Sequence, residues 1–417
     1  MSFNENYGKL LAFTEDLFKH PELGYKEFRT SENVESYIKE INPNASIEKF
    51  AITGIKTSLS TDKERTMAFI VELDAVYAPS HFSASKETGA AHNCGHFTQV
   101  PIAIALYDYY VETKKYLDLD FNICFIFVPA EEYLDLDYRK GLKEAGEIEY
   151  FGGKAEGMKL GIFDDIDFCV GVHAIGEEFD RPTIEIDCDL AGFLYKYYEF
   201  TGKASHAGFD PFSGVNAYSM STLFNVAVGL GRQQFVDAET VRVNPIVMKS
   251  DMSTNVIPNY IKVGTDLRSK SVEYMQAVSK KLDSAAKGSA MALDGEVSIE
   301  TDMGYLPFIQ NRYLNTFVKK AFDEYPAIPD IIDDRGGIAA AGDIGDLGYM
   351  IPCIQISYGG FNGTIHGDDF RMVDPEFILK TLPDFLTKVF EKMSGNIDYS
   401  KLYRRSFEEY KTLIESI

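Results

Sequence analysis

The 417-residue sequence predicts an α/β protein with a mostly parallel sheet, into which a second, α+β domain is inserted. In the first part of the chain, short apolar segments alternate with segments of helical spacing. Uniformly apolar strands are typical of a parallel sheet covered by helices on both faces. From residue 189 to 306, strand-like segments surround two helical ones, an order typical of a split βαβ unit. We therefore predict a main domain over residues 1–188 and 307–417 and an inserted domain over residues 189–306.

Helical spacing and apolar runs give the elements of the main domain in order. Two helices are predicted early in the chain, and the second has Thr30 or Ser31 as a candidate cap. A strand, a helix and two strands follow, and a further strand comes after the inserted domain. In chain order, these elements are predicted from the segments LLAFTEDLFKHPEL, TSENVESYIKEI, TMAFIVELDAV, VPIAIALYDYYVETKKY, FNICFIFVPAEE, DFCVGVHA and IPCIQISYGG.

The inserted domain differs from the main domain in its strand-like segments, which mix polar with apolar residues. Its two helices are predicted from GVNAYSMSTLFNVAVGLGRQ and SVEYMQAVSKKLDSAAKG. Its strands are predicted from FLYKYYEFTG, VRVNPIVMKS, NYIKVGTDLRS and EVSIETDM.

Composition excludes several classes of function. A net charge of −23 argues against nucleic acid and anionic membranes as partners, since both require clustered Lys and Arg. No apolar run approaches the roughly 18–20 residues that span a bilayer, and the first residues do not resemble a secretory signal. Of five cysteines, Cys124, Cys169 and Cys353 lie in apolar runs, where a thiol behaves as a small core residue. We therefore expect a cytoplasmic protein.

The stretch GAAHNCGHFTQV concentrates polar residues in an uneven way. It places His92, Cys94 and His96 at alternate positions, although the whole chain has only seven histidines. A metal site, a reactive thiol and an ordinary polar loop all remain open, because this spacing is not one of the common structural zinc patterns.

Other candidate ligands follow the predicted strands. Asp74, the pair Glu131 and Glu132, His173 and His366 come at or after the ends of four apolar segments. Ligands of open α/β sheets bind at the carboxyl ends of the strands, so these side chains and the Cys94 region are expected to meet. Thiolate, imidazole and carboxylate together suit zinc, manganese, cobalt or nickel. Taken singly, His173 fits a hydrogen-bonded polar residue and the Glu pair fits a solvated turn.

The adjacent carboxylates need different roles. Neighbouring residues on an extended segment point to opposite sides, so one of Glu131 and Glu132 can bind metal while the other faces the substrate as a general base for water. A thiolate or carboxylate between two cations could also bridge them.

At this point the chain resembles the M20 family of metallopeptidases and amidohydrolases. The closest likeness is to the amidohydrolase branch, which acts on N-acyl amino acids and aminobenzoyl-glutamate-type substrates. The likeness is carried, in order, by HPELGYKEFRTSENVESYI, ELDAV, AHNCGH, VPAEE, GGKAEGMKLGIFDDIDFCVGVHA, GKASHAGFDPFSGVNA, STNVIPNYIKVGTDLRS, AAGDIGDLGYMIP and the final His366.

The resemblance implies a zinc-peptidase-like catalytic domain with an inserted, ferredoxin-like lid and dimerisation domain. It implies two divalent metal ions per subunit, zinc, manganese, cobalt or nickel. Cys94 corresponds to the bridging thiolate and Glu131 to the general base and proton shuttle. The other metal ligands correspond to His96, Glu132, His173 and His366.

The resemblance also implies roles outside the metal ligands. His206 corresponds to the lid histidine that stabilises the oxyanion from the partner subunit of a homodimer, and Asn255 and Arg268 to residues that hold the substrate carboxylate. Asp74 and His92 are expected to contact the metal ligands and hold them in place without binding metal themselves. Local bonding of His206 and a surface ion pair of Arg268 remain alternatives.

The chain departs from the family pattern in two places. Phe97 follows the CGH motif where the family usually has an acidic residue or Asn, which removes a hydrogen-bonding group. After VPAEE, residues 133–151 form an insertion of roughly 20 residues, longer than most loops. The expected activity is hydrolysis of an amide near a free carboxylate, and the alternative is a catalytically silent protein that binds metal or a small molecule.

Overall fold

The computed structural model describes residues 3–250 and 253–417 and divides into two compact units. The main unit comprises residues up to Cys188, Ile309–Gly336 and Asp346–Tyr410. The inserted unit comprises Asp189–Phe308, Gly337–Gly345 and Lys411–Ile417. The chain therefore enters the inserted unit three times, whereas the sequence predicts one continuous segment from 189 to 306.

The described residues form strands that we number in chain order. They are β1 (Ile47–Phe50), β2 (Gly54–Leu59), β3 (Arg65–Glu72), β4 (Val76–Tyr77), β5 (Ala90–Ala91), β6 (Phe121–Val128), β7 (Phe168–Ala174), β8 (Thr183–Ile186), β9 (Gly192–Thr201), β10 (Ser205–His206), β11 (Arg242–Val243), β12 (Ile246–Ser250), β13 (Val256–Ile257), β14 (Tyr260–Ser269), β15 (Glu296–Met303), β16 (Asp330–Asp333), β17 (Cys353–Tyr358), β18 (Phe361–Asn362) and β19 (Arg371–Met372).

The α-helices are numbered in the same way. They are α1 (Tyr7–Lys19), α2 (Phe28–Ile41), α3 (His96–Thr113), α4 (Leu136–Glu144), α5 (Gly153–Lys159), α6 (Ala217–Gly231), α7 (Val272–Met291), α8 (Arg312–Phe322), α9 (Ile344–Met350), α10 (Leu382–Met393) and α11 (Phe407–Glu415).

The main unit is built on an eight-stranded sheet in the order β1-β2-β6-β3-β7-β17-β8-β16. Its four central strands, β6, β3, β7 and β17, run parallel to one another. All eight residues of β6 are buried, so this strand has no solvent-facing side, as is typical of a parallel sheet covered on both faces. This arrangement confirms the predicted α/β class with a mostly parallel sheet.

The start of α2 differs from the sequence prediction. The helix begins at Phe28, so Thr30 and Ser31 lie inside its first turn and the predicted cap is wrong. The Glu22 carboxylate instead accepts hydrogen bonds from the backbone N–H groups of Arg29 and Thr30, at 3.1 and 2.8 Å. A carboxylate at this end of a helix satisfies N–H groups that have no partner within the helix.

The inserted unit has an antiparallel sheet in the order β11-β14-β9-β15, with β12 also pairing with β14. Side chains of β9 alternate between buried and half-buried positions, which is the pattern of a sheet covered on one face. Leu194, Tyr198 and Phe200 form the buried face and share a core with α6 and α7.

Within the described residues, the structure contains no helix that is both long and apolar enough to cross a membrane.

Candidate metal centre

One edge of the main sheet collects the candidate ligands. The parallel strands β3, β6, β7 and β17 all have their carboxyl ends at this edge, because parallel strands end on the same side of a sheet. The candidate residues are Glu72 at the end of β3 and Asp74 just after it, Glu131 and Glu132 after β6, His173 in β7, His366 after β17, and Cys94 and His96 at the start of α3.

Gly95 lets the start of α3 approach strand β7. It has a φ of +97°, in the left-handed region, and a Cβ atom there would lie 2.5 Å from the Cβ of Ala174. Only glycine tolerates both the conformation and the close approach. The glycine of the CGH motif thus brings Cys94 and His96 next to His173, the neighbour of Ala174.

Two groups of three donor atoms share the Cys94 thiol. Cys94, His96 and His173 form the first group, and Cys94, Glu132 and His366 form the second. Within each group the donor atoms lie within 4.8 Å of one another. The Cys94 Sγ is 3.7 Å from His173 Nε2, and the His366 Nε2 is 3.2 Å from Glu132 Oε1. Sharing one sulfur between two groups is the geometry expected of a bridging ligand.

The loop that carries His366 is fixed to the same motif. His366 has a φ of +62°, uncommon for a residue with a side chain, and its backbone N–H donates to the Asn93 carbonyl at 2.8 Å. The Asn93 side chain in turn donates to the Gly367 carbonyl at 3.1 Å. These bonds tie the His366 loop to the segment that contains Cys94.

A third group contains Glu72, which sequence reasoning missed. Glu72, His96 and Glu131 have donor atoms within 4.8 Å of one another, and Glu72 Oε2 is 3.2 Å from His96 Nε2. Lys154 Nζ donates to Glu72 at 2.7 Å and Gln99 Nε2 donates to it at 2.8 Å. Glu72 could have been found from the segment ELD, residues 72–74, because residues two apart in a strand, here Glu72 and Asp74, point to the same side.

Asp74 contacts two of the candidate ligands. Its Oδ2 accepts a hydrogen bond from the Glu132 backbone N–H at 2.9 Å. Its backbone carbonyl lies 3.0 Å from His96 Nδ1, which leaves Nε2 of that ring directed at the cluster. Bonding of one ring nitrogen to a protein oxygen fixes the orientation of the other, as is usual for a metal-binding histidine.

His92 and Phe97 occupy an apolar space behind the motif. The Phe97 ring packs against Phe18 at 4.9 Å and against His92 at 5.8 Å between centroids. Neither ring nitrogen of the buried His92 has a hydrogen-bond partner among the described residues. Burial, and then His96, lower the pKa of His92 to about 3. His92 therefore stays neutral and packs beside the site without bonding to a ligand.

The charges of the cluster favour bound cations. Burial and the Glu132 carboxylate oppose ionisation of the Cys94 thiol, but His96 and His173 outweigh them and lower its pKa to about 6. Burial would also raise the pKa of Glu132, yet the hydrogen bond with His366 lowers it to about 2. Burial opposes a proton on His366, whereas Cys94 and Glu132 raise its pKa to about 11. The anionic donors thus stabilise positive charge within the cluster.

The side chains fit a divalent metal pair. Nε2 of His96 is buried, lies 3.2 Å from Glu72 Oε2 and has no hydrogen-bond partner among the described residues. Buried polar atoms of this kind are costly unless they bind something, and thiolate, imidazole and carboxylate are the donors that zinc-like ions prefer. A metal ion binds the deprotonated forms of these side chains, so metal binding here would release protons.

His206 and Asn255 lie together in the inserted unit. Strand β10 pairs with β13, and the Ala207 N–H donates to the Asn255 carbonyl at 2.9 Å. The exposed His206 accepts hydrogen bonds at Nδ1 from the N–H groups of Gly208 and Phe209, at 3.1 and 2.9 Å. Local bonding of His206, one of the alternatives from the sequence, is therefore present.

Arg268 lies elsewhere in the inserted unit, near the end of β14. Its Nε donates to Asp266 at 2.7 Å and its Nη1 donates to the Ala339 carbonyl at 2.8 Å. The ion pair with Asp266 corresponds to the other alternative that the sequence leaves open.

Known proteins share the family and the fold. The profile of peptidase family M20/M25/M40 matches residues 68–390. An N-acetyldiaminopimelate deacetylase of Bacillus pumilus is 22% identical over 409 residues, which cover 94% of this chain and 99% of the relative. An Xaa-Arg dipeptidase of Mus musculus is 24% identical over 364 residues, covering 83% and 75%.

A solved structure extends the comparison to three dimensions. A dinuclear metal-binding peptidase of the M20 family from Bacillus subtilis superimposes with a TM-score of 0.75 at 18% identity, covering 94% of this chain and all of that one. The profile match spans most of the chain and the fold agrees over nearly all of it. The chain therefore belongs to peptidase family M20/M25/M40 and is a hydrolase of amide bonds.

Proposed function

We propose that this chain is a dinuclear amidohydrolase that cleaves an N-acyl amino acid or a small peptide-like substrate with a free carboxylate. The observation that carries the proposal is the Cys94 thiol shared by two groups of three donor atoms. A site of this type suits two divalent ions, with zinc, manganese, cobalt and nickel as candidates. The names of the deacetylase and dipeptidase relatives are consistent with both substrate classes.

The metal ligands divide between the two groups. His96 and His173 would hold one ion, Glu132 and His366 the other, and Cys94 both. When bound, two such cations supply Lewis acidity that polarises the scissile carbonyl and favours ionisation of water. Asp74 holds His96 and the Glu132 backbone in place through its hydrogen bonds.

Glu131 is the proposed general base. It is buried, and its Oε2 is 3.9 Å from His96 Nε2. A carboxylate at this position can take a proton from the attacking water and later deliver it to the leaving amine. Because Glu131 is buried, bulk water has little access to its carboxylate and competes little for the proton that it carries.

His206 is the proposed donor to the oxyanion. Because its Nδ1 accepts two backbone N–H groups, the neutral ring carries its proton on Nε2. That nitrogen is then a hydrogen-bond donor of fixed orientation, which is what stabilisation of a tetrahedral oxyanion requires. Asn255 and Arg268 are proposed to bind the substrate carboxylate through their amide and guanidinium groups.

The enzyme is proposed to be a homodimer that assembles through the inserted unit. Tyr218, Val226 and Leu230 form an exposed apolar stripe along α6, and Leu230 is 76% exposed. Strand β12 is exposed along its whole length and, among the described residues, pairs only with β14. An exposed apolar edge strand is a template for pairing with another chain, and a second copy is the occupant we propose.

The proposed location is the cytoplasm. All five cysteines are free thiols and all are buried, which fits a reducing compartment.

A matched panel of substrates tests the proposed activity. The metal-loaded enzyme is expected to hydrolyse several N-acetyl or N-benzoyl amino acids and dipeptides. It is expected to act at least about a hundred-fold more slowly on the corresponding amides without the α-carboxylate, since the Arg268 guanidinium and the Asn255 amide would then lose the group that they are proposed to bind. Amine release is the readout. Full metal loading without turnover of any member of the panel would favour the catalytically silent alternative.

A further inference from the structure

The insertion that follows the Glu pair carries a buried arginine. Arg139 lies in α4, within the segment 133–151, and is only 1% exposed. A guanidinium is rarely this buried unless its donors are matched by acceptors, because an unpaired buried charge is costly. Its partners therefore indicate what this arginine does.

Arg139 donates to backbone carbonyls on both sides of Glu131. Its Nη1 donates to the Phe151 carbonyl at 2.7 Å and reaches the Ala130 carbonyl at 3.5 Å, and its Nη2 donates to the Glu132 carbonyl. One planar group thus connects the two ends of the turn that carries the Glu pair to the far end of the insertion. The planar guanidinium of arginine, with several N–H donors in fixed directions, can bind these separate carbonyls better than the single ammonium group of lysine.

The turn itself needs external support. Ala130 has a φ of +54°, a left-handed conformation that costs about 1 kcal/mol or more for a residue with a side chain. The Ala130 N–H donates to Glu27 at 2.8 Å and the Glu132 N–H donates to Asp74 at 2.9 Å. Together with Arg139, these carboxylates hold the N–H and the carbonyl of both residues that flank Glu131.

Gly24 provides the space for this arrangement. A Cβ atom at Gly24 would lie 2.3 Å from Arg139 Nη2 and 2.8 Å from the Ala130 Cα. The neighbouring Tyr25 ring lies under the guanidinium, 5.5 Å from its carbon. The segment that contains HPELGY therefore forms the other wall around Arg139, so its glycine is required by the arginine and the turn together.

We propose that Arg139 is a positioning residue for the hydrolysis: it locks the turn at Ala130–Glu132 so that Glu131 faces the substrate while Glu132 faces the metals. The role in catalysis rests on the proposed function, whereas the locking of the turn does not. The insertion after the Glu pair is thereby a structural support of the catalytic turn, supplied from within the chain by α4.

Hydrogen exchange tests the locking of the turn without using activity. The variants are Arg139→Ala and Arg139→Lys, and Lys140→Ala is the matched control, since Lys140 is exposed on the same helix. In the metal-loaded protein, the amides of Ala130 and Glu132 should exchange at least about ten-fold faster in both Arg139 variants, and at the wild-type rate in the control. Wild-type exchange of these amides in Arg139→Ala would overturn the proposal.

Kinetics test the catalytic consequence. With an N-acetyl amino acid that the wild type hydrolyses, Arg139→Ala should lower kcat by about ten- to a hundred-fold at full metal occupancy, while KM changes little. Millimolar guanidinium should restore part of kcat in Arg139→Ala and none in Glu131→Gln. A kcat that falls only in proportion to lost metal or lost folded protein, without rescue by guanidinium, would contradict a positioning role.

The two measurements separate the two hypotheses. If the wild type hydrolyses no amide, the proposed function fails, and the exchange rates still decide whether Arg139 locks the turn. If Arg139→Ala does not fold, Arg139→Lys keeps the charge and supplies both readouts, with faster exchange and lower kcat as the expected results.

Discussion

A single thiol connects the residues of the candidate metal centre. Cys94 lies between His96 and His173 on one side and Glu132 and His366 on the other, within 4.8 Å of the donor atoms of each pair. Its pKa, lowered to about 6 by the two nearby histidines against burial and Glu132, favours the thiolate that metals bind. The charge of one sulfur can therefore serve two cations.

Most candidate ligands and the supporting Asp74 could be predicted from the sequence, but Glu72 was missed and the Lys154 that binds it could not be predicted. His173 and Glu132 lie at the ends of apolar segments and Cys94 lies just before the apolar helix α3, and the rule that ligands meet at the carboxyl ends of parallel strands brings them together. Lys154, which binds Glu72, is separated from it by 82 residues and lies in a helix with no distinctive pattern. Contacts that form only between distant elements leave no periodic signal in the sequence.

The Glu pair yields a prediction at the residue scale. Glu131→Gln should lower kcat by about a hundred- to ten-thousand-fold while the metal content stays unchanged, because the change removes a base and keeps the ligands. Glu132→Gln, the matched neighbour, should lose metal. Elemental analysis and initial rates on the same preparations check both, and the opposite pattern would reverse the two roles.

At the scale of elements, the sequence predicted the long helices and buried strands better than their ends. The cap expected at Thr30 or Ser31 failed because Glu22, outside the helix, satisfies the first N–H groups of α2. Helix α4 was not predicted, since LDYRKGLKE is polar and short. Its buried arginine gives the insertion a structural purpose that composition could not show.

The turn at the start of α3 gives a prediction for this scale. Gly95→Ala should destabilise the protein by at least about 1–3 kcal/mol, since its φ of +97° and the 2.5 Å approach to Ala174 both exclude a side chain. It should also weaken metal binding by moving Cys94 and His96. Urea unfolding of the metal-free protein measures the first effect.

Gly8→Ala is the control for this substitution. Gly8 lies in α1 with no atom within 4 Å of an added Cβ, so alanine should be neutral or stabilise by up to about 1 kcal/mol. Equal free energies of unfolding for the Gly95→Ala variant and the wild type would show that the approach to β7 is not required.

At the scale of the whole molecule, the alternation of strands and helices was enough to predict the α/β class. Near residue 189 the strand-like segments change from uniformly apolar to partly polar, and this change indicated a second unit. The segments Gly337–Gly345 and Lys411–Ile417 also group with that unit. They contain no pattern that assigns them there, since a short loop and a chain end join a core through tertiary contacts alone. The net charge of −23 limits the partners but says nothing of the substrate.

The metal content of the whole protein tests the central claim, a two-metal site that shares Cys94, most directly. After dialysis against buffer without free metal, elemental analysis should find two divalent ions per wild-type chain and fewer than one in Cys94→Ala, because both groups lose their common ligand. Cys124→Ala is the control, since burial raises the pKa of that thiol to about 12 and it lies in β6 away from the cluster, so two ions should remain. Two ions retained by Cys94→Ala, or a single ion in the wild type, would contradict the shared site.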